Sequence, residues 1–254
     1  MDEDGQYNES PLARQELLLG AESTARVRAA SVLLCGVGGV GSWAAEALVR
    51  CGIGHLTIVD FDTIKPSNLN RQLEALHSTL GKSKCAVLAE RLKDIATDCE
   101  IVYYEKRLTE ENITALLSER KWDAVVDCID DRMAKLALLE ECVRINLRVV
   151  SSMGAAGKVE PECITTADIS HTDGCPVAKL MRKNLRKRGI ERGITCVYSP
   201  ELPVLYALPE AEGERRPLGS LMLVTASFGL RVADAVLRPI LQLDALSHRG
   251  GWKK

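Results

Sequence analysis

The 254-residue sequence is poor in aromatic side chains, carries no large excess of either charge, and has neither a metal-knuckle cysteine pair nor a membrane-length apolar run. Each shortage removes a class of protein. With only two Phe and 4% aromatic residues, the core must be filled mainly by aliphatic side chains. A formal net charge of -2 argues against a protein that coats nucleic acid through bulk charge, while leaving room for a local basic patch. Nine cysteines stand at 35, 51, 85, 99, 128, 142, 163, 175 and 196, an odd number with no Cys-x-x-Cys pair. A disulfide framework and a local zinc knuckle are thereby disfavoured, and reduced thiols in the cytosol are expected. The late apolar stretch Leu221–Leu230 falls short of the roughly 20 residues a membrane span needs, and Arg231 and Asp234 follow it directly. Residues 1–10 are acidic and polar and lack the basic start and apolar run of a signal peptide, so a cytoplasmic protein is expected.

What remains has globular proportions, 46% hydrophobic and 27% charged, in a length that suits one large domain. Short β-branched runs alternate with longer helical patterns, the mark of a mostly parallel α/β sheet flanked by helices. Strands are expected at Ser31–Cys35, His55–Asp60, Glu100–Tyr104, Ala124–Cys128 and Arg148–Ser151. Helices are expected at Gly41–Cys51, Lys82–Thr97, Glu110–Glu119 and Arg132–Asn146. Residues 1–152 then form a nucleotide-binding core, and 153–254 a smaller C-terminal extension that completes the fold. That part holds a strongly basic helix beginning at Pro176, its basic run reaching residue 192, and an apolar helix over 220–237 that Pro239 kinks or ends. A loop rich in Pro, Glu, Gly and Arg lies between them at 200–219.

The first strand runs into Gly36-Val37-Gly38-Gly39-Val40-Gly41 and then a helix, so backbone N–H groups and the positive helix end face an anion. Gly36, Gly38 and Gly41 match the Rossmann-like dinucleotide pattern, and Asp60 closes the second strand nineteen positions after Gly41, where a ribose-binding carboxylate belongs. To this point an NAD-dependent oxidoreductase fits equally well. The segment Asp60-Phe61-Asp62-Thr63-Ile64-Lys65-Pro66-Ser67-Asn68-Leu69-Asn70-Arg71-Gln72 shifts the balance. Asn68 and Arg71, three apart, share one face of a helical turn and suit polyphosphate oxygens, and Lys84 adds a third donor. The fourth strand ends in Asp127-Cys128-Ile129-Asp130-Asp131, carboxylates at the crevice rim that suit a magnesium ion bridging phosphates. The plainer reading is that Asp130 or Asp131 caps the next helix.

Five ordered motifs then carry a resemblance: the glycine turn, Asp60-Phe61-Asp62, Ser67-Asn68-Leu69-Asn70-Arg71-Gln72, Gly81-Lys82-Ser83-Lys84 and Asp127-Cys128-Ile129-Asp130. Together they resemble the adenylating enzymes related to ubiquitin-activating proteins, over roughly residues 14–152. The resemblance implies that ATP is bound by Gly36, Gly38, Gly39, Gly41, Asp60 and Asp62, with Asp60 on the ribose. It implies Asn68, Arg71 and Lys84 on the triphosphate and Mg2+ at Asp130. Arg14, in Arg14-Gln15-Glu16-Leu17, matches an arginine donated across a homodimer to the partner's site. Catalytic roles thus fall on Arg71, Lys84, Asp130 and Arg14.

The second half resembles the tRNA threonylcarbamoyladenosine dehydratase branch of that family, through Ser151-Ser152-Met153-Gly154-Ala155-Ala156, Ala167-Asp168-Ile169-Ser170, Pro176-Val177-Ala178-Lys179 and Tyr198-Ser199. Where relatives have Asp before that Pro, this chain has Cys175. The implied reaction is ATP-dependent cyclisation of a threonylcarbamoyl group on tRNA through its adenylated carboxylate. Lys179, Arg182, Lys183, Arg186 and Lys187, interleaved with Val177, Leu180, Met181 and Leu185, give a helix that packs one face and offers phosphate contacts on the other. A solvated helix face is the plainer alternative. The sulfur-carrier-activating branch, with its zinc cysteines, is disfavoured because this chain has no Cys-x-x-Cys pair, and docking of a sulfur-transfer protein is left open. A nucleotide-sensing scaffold without chemistry is disfavoured by the intact Arg71, Lys84 and Asp130. Cys175 and Cys196 are candidate acyl acceptors, Cys35, Cys85, Cys128 and Cys142 read as buried core, and His77 and His171 stand in no spacing that demands a role.

Overall fold

The protein is described here by a computed structural model covering residues 10–204 and 218–243. Most of the 200–219 loop and the acidic start lie outside the described residues. Two short helices, α1 (Ala13–Leu19) and α2 (Ala21–Ala29), lead into β1 (Ser31–Cys35), then α3 (Gly41–Arg50), β2 (His55–Asp60), α4 (Lys84–Ile95) and β3 (Glu100–Glu105). The chain continues through α5 (Glu110–Ser118), β4 (Ala124–Asp127), α6 (Arg132–Arg144) and β5 (Val149–Ser152), then β6 (Thr165–Asp168), α7 (Pro176–Arg186), β7 (Thr195–Tyr198) and α8 (Met222–Leu241). These strands form one sheet in the order β3-β2-β1-β4-β5-β7-β6, all parallel except β6, which runs antiparallel to β7. The order reverses direction between β1 and β4, so a crevice opens at their carboxyl ends.

Ser-Val-Leu-Leu-Cys of β1 is apolar on both sides because both faces of the sheet are covered. Val32 and Leu34 point into a core shared with α3, α4 and α8, while Leu33 and Cys35 point into a second core shared with α5, α6 and α7. Phe228 of α8 is fully buried in the first core, a contribution of about 2 kcal/mol from apolar burial alone. Gly229 beside it permits the approach of α8 to α3, since a Cβ there would stand 2.6 Å from the Val40 carbonyl and 2.7 Å from Trp43 Cβ. The C-terminal helix therefore braces the helix that follows the glycine turn.

Two boundaries differ from expectation. Pro239 does not end the apolar helix but sits inside α8, which runs to Leu241. A proline leaves the carbonyl four residues earlier without its helical donor, and here the Arg148 guanidinium donates to the Ala235 carbonyl at 2.6 Å. The basic helix stops at Arg186 instead of continuing towards 192. Gly189, at φ +77°, closes it as Ile190 N–H donates to the Leu185 carbonyl and Gly189 N–H to that of Arg186, a left-handed terminus that glycine favours. Neither β6 nor β7 was expected from the sequence, yet β7 pairs with β5 and extends the main sheet.

Candidate active site

The glycine turn is built by close backbone contacts. Gly36 has φ +90°, and a Cβ on it would lie 2.7 Å from the Cys128 carbonyl, so β1 and β4 meet there as only glycine allows. A Cβ at Gly41 would fall 1.8 Å from the Gly36 carbonyl. Asp60 holds the turn from β2: one carboxylate oxygen accepts from Val37 N–H at 2.8 Å and the other from Asp62 N–H at 2.9 Å. No side chain caps the start of α3, so its positive end is left open to an anion.

The segment after β2 folds back over this turn. The Lys65–Asn68 turn is closed by Asn68 itself, whose buried side-chain oxygen accepts from Lys65 N–H at 2.9 Å. Arg71 follows, its carbonyl accepting from the Trp43 indole of α3 at 3.1 Å. Its side-chain stem lies against Gly39, where Cγ and Cδ stand 3.1 and 3.2 Å from the position a Cβ would take. The guanidinium donates to the Ser67 carbonyl at 2.8 Å and the Asn70 side-chain oxygen at 2.9 Å. Gln72 is the neighbour of Gly38. The expected sharing of one face is thus only partly met, because Asn68 closes its own turn while Arg71 leans onto the glycines.

Lys84 opens α4, buried, with Nζ 3.1 Å from Asp62. Its own N–H donates to the Asp62 carbonyl, and Thr63 bridges Ser83, so the 62–65 segment and the start of α4 are fastened together. Beneath them lies Glu74, 1% exposed, with no hydrogen-bond partner for either carboxylate oxygen. Burial pushes its carboxyl up to about 7, outweighing the lowering effects of its own backbone N–H, Lys84 and Ser42, with Asp60 adding a smaller upward push. Gln72 is also buried, with its side-chain oxygen unpartnered.

Across the crevice the carboxylates divide their tasks. Asp131 caps α6 by accepting from Met133 and Ala134 N–H at 2.9 and 3.1 Å, and Arg107 lies 3.6 Å from it. Asp130 is exposed, with no side-chain partner among the described residues. Magnesium commonly takes one or two carboxylates together with substrate phosphates and water. No group of three or more His, Cys, Asp or Glu is gathered among the described residues, so Asp130 suits an ion carried in with a polyphosphate better than a caged one. Asp127, fully buried, is bound by Lys135 Nζ at 2.6 Å and by the Ser151 hydroxyl at 2.6 Å.

Elsewhere the site expectations sort less evenly. Lys179, Lys183 and Arg186 are exposed along α7 and Lys187 directly after it, but Arg182 turns inward. It donates to the Ile169 carbonyl at 3.2 Å, the Thr172 carbonyl at 2.7 Å and the Thr172 hydroxyl, so it anchors α7 to the 169–172 turn. Arg14 is exposed on α1, which packs on α2. Cys196 is fully buried in β7 and its thiol is pushed well above its usual range by desolvation, which corrects its candidacy as an acyl acceptor. Cys175 is likewise buried, ahead of α7. Burial also pushes Cys128 and Cys142 up to about 12, as inert core thiols. Lys135, Glu74 and Trp43 were not among the residues expected at the site. A lysine or glutamate on a helical or turn pattern reads as solvated, and nothing in the linear order marks these as buried.

The ThiF family profile matches residues 12–251. The chain is 40% identical to a tRNA threonylcarbamoyladenosine dehydratase of Bacillus subtilis (strain 168) over 193 residues, 76% of each chain. It is 33% identical to the enzyme of that name from Escherichia coli (strain K12) over 232 residues, covering 84% of this chain and 86% of the relative. Its fold superposes on a crystal structure of the E. coli dehydratase, TcdA, in complex with ATP, with a TM-score of 0.82 at 30% identity, covering 97% of this chain and all of the other. An AMP complex of the same E. coli enzyme matches with the same TM-score at 32% identity, covering 91% of this chain and 94% of that one.

Proposed function

The chain belongs to the ThiF family, and from that premise we propose that it is an ATP-dependent tRNA threonylcarbamoyladenosine dehydratase that adenylates the carboxylate of the threonylcarbamoyl group and drives its cyclisation. The observation that carries this reading is the Arg71 stem laid against Gly39, which brings a guanidinium onto the phosphate turn. A pyrophosphate bridge between two nucleosides needs no such cation. A triphosphate under attack at its α-phosphorus does, because charge builds on the departing pyrophosphate.

In the first step a carboxylate oxygen of the substrate attacks the α-phosphorus of ATP and pyrophosphate leaves. Backbone N–H groups at the start of α3, Arg71 and Lys84 offset the charge that accumulates there. Lys84 is held ready by Asp62, and Asp60 fixes the turn that receives the phosphates. Asp130 is the residue that would hold magnesium, which when bound neutralises phosphate oxygens. In the second step the ureido nitrogen attacks the activated carbonyl, AMP leaves with the former carboxylate oxygen, and the nitrogen gives up its proton as the ring closes. The nucleophile is already tethered to its target, so proximity replaces a protein nucleophile, in keeping with the buried state of Cys175 and Cys196.

The exposed cations Lys179, Lys183 and Arg186 of α7, with Lys187 directly after it, contact the tRNA backbone in this reading. The enzyme works as a homodimer, with Arg14 supplied to the neighbouring site from α1. Leu17 and Leu18 of α1, 61% and 80% exposed, provide apolar surface next to Arg14 for that contact. Exchange of labelled pyrophosphate into ATP tests the whole reading. It should require tRNA carrying threonylcarbamoyladenosine and stay at background with the same tRNA lacking that group. Exchange driven instead by the C-terminus of a ubiquitin-like carrier protein would reject it.

A further inference from the structure

Beneath the crevice, Asp127 of β4, Lys135 of α6 and Ser151 with Ser152 of β5 form a buried polar cluster that the reaction above does not use. Asp127 is completely buried and the Lys135 side chain is 4% exposed. Lys135 Nζ donates to one Asp127 oxygen at 2.6 Å and to the Ser152 carbonyl at 3.0 Å, and the Ser151 hydroxyl donates to the same Asp127 oxygen at 2.6 Å. Three elements are thereby tied at one carboxylate. Its other oxygen accepts from Ile129 N–H at 3.1 Å, which bends the chain directly before Asp130. The Cys128 carbonyl in this same bend is the atom packed against Gly36. One cluster thus sets the path of the backbone that touches the phosphate turn on one side and carries Asp130 on the other.

Stability alone is a weak reason to keep such a pair, because a buried ion pair is often matched or bettered by apolar residues of similar volume. What an apolar pair lacks is direction: it cannot hold a backbone N–H at a chosen angle. We infer that Lys135, acting through Asp127, is a positioning residue that fixes the Asp130 carboxylate relative to the glycine turn, so that a magnesium ion and the phosphates are received in register. This deepens the proposed function and rests on its reading of Asp130 as the magnesium-facing carboxylate.

The test is calorimetric ATP binding by the full chain, with Mg2+ and again in EDTA, which gives a Mg2+-dependent gain in affinity separate from turnover. Three proteins are compared with the parent: Asp130→Asn, the double variant Asp127→Asn with Lys135→Met, and Ser151→Ala. The double variant removes both charges together and leaves no lone buried ion. The expectation is that Asp130→Asn abolishes the Mg2+-dependent gain. The double variant should lose tenfold or more of it while keeping its EDTA affinity within threefold. Should the double variant not fold, Ser151→Ala, which removes only a hydroxyl bond to Asp127, is expected to lose at least threefold of the gain with EDTA affinity unchanged. If Asp130→Asn loses the gain but the cluster variants keep it, the positioning role of Lys135 is overturned and Asp130 stands. If Asp130→Asn keeps the gain, the reading of Asp130 fails and takes this inference with it.

Discussion

Replacing Glu74 by Gln isolates the cost of a carboxyl placed under the phosphate site without partners. Glu74 is 1% exposed and neither oxygen is hydrogen-bonded, and desolvation raises its carboxyl from 4.5 to about 7. A raised acid is one whose folded state holds a proton that the unfolded chain has released. Stability is therefore fully present below about 4.5, falls as pH rises through 7, and is level above that. Over the whole window the loss is on the order of 3 kcal/mol, at roughly 1.4 kcal/mol for each tenfold change in proton affinity. Gln cannot ionise, and its fixed cost of burying an amide is the same at every pH. The difference between variant and parent should grow by about that amount between pH 5 and pH 8, in favour of the variant. In a chain of this size it corresponds to a relative gain in melting temperature of roughly 6 to 12 °C. Urea unfolding followed by circular dichroism across that range reads it directly. Parallel stability curves for the two proteins, or a gap that widens towards acid, would show that the Glu74 carboxyl is not raised in the folded state.

Arg71→Ala should lower kcat/KM about 100-fold to 1000-fold, because the phosphates are then left without their forked cation. Its melting temperature should change little, because its own partners are surface hydrogen bonds to Ser67 and Asn70; equal damage to folding and turnover would contradict this. Replacing Lys179, Lys183 and Arg186 together by Ala should weaken tRNA binding and flatten its salt dependence by about 0.7 to 0.9 in slope for each phosphate that is no longer neutralised. ATP affinity should not move, and an unchanged salt slope would remove α7 from the RNA interface. Arg182→Ala should behave differently from these neighbours, costing on the order of 1 to 3 kcal/mol of stability by freeing the Ile169 and Thr172 carbonyls it now binds.

The parts of this fold that could be read in advance are those whose signal is local. β1, the glycine turn and α3 announce themselves by an apolar run, a glycine cluster and a helical pattern in one continuous stretch. The motif after β2 was visible because Asn68, Arg71 and Lys84 have no reason to recur in that order on a solvated loop. β6 and β7 escaped because each is four residues long, and Thr165–Asp168 is polar and only half-buried. The division between Asp130 and Asp131 depended on which of two adjacent carboxylates met the N–H groups of α6. Lys135 and Glu74 escaped for a deeper reason: charge in a sequence predicts exposure, and only the packed structure reveals a charge that has been enclosed. Arg182 illustrates the converse, a cation on a basic stripe whose partners lie on a turn ten to thirteen residues earlier in the chain. Pro239 misled because the donor that makes it tolerable, Arg148, comes from another part of the chain.

Dehydration through an adenylate is read most plainly from the chemical fate of the modified nucleoside. Purified enzyme is given ATP, Mg2+ and tRNA bearing threonylcarbamoyladenosine, and the nucleoside is analysed by mass spectrometry while AMP and pyrophosphate are counted. The product should be lighter by one water, with one AMP and one pyrophosphate formed for each molecule converted. A nucleoside of unchanged mass, or water loss accompanied by ADP and inorganic phosphate, would contradict dehydration through an adenylate.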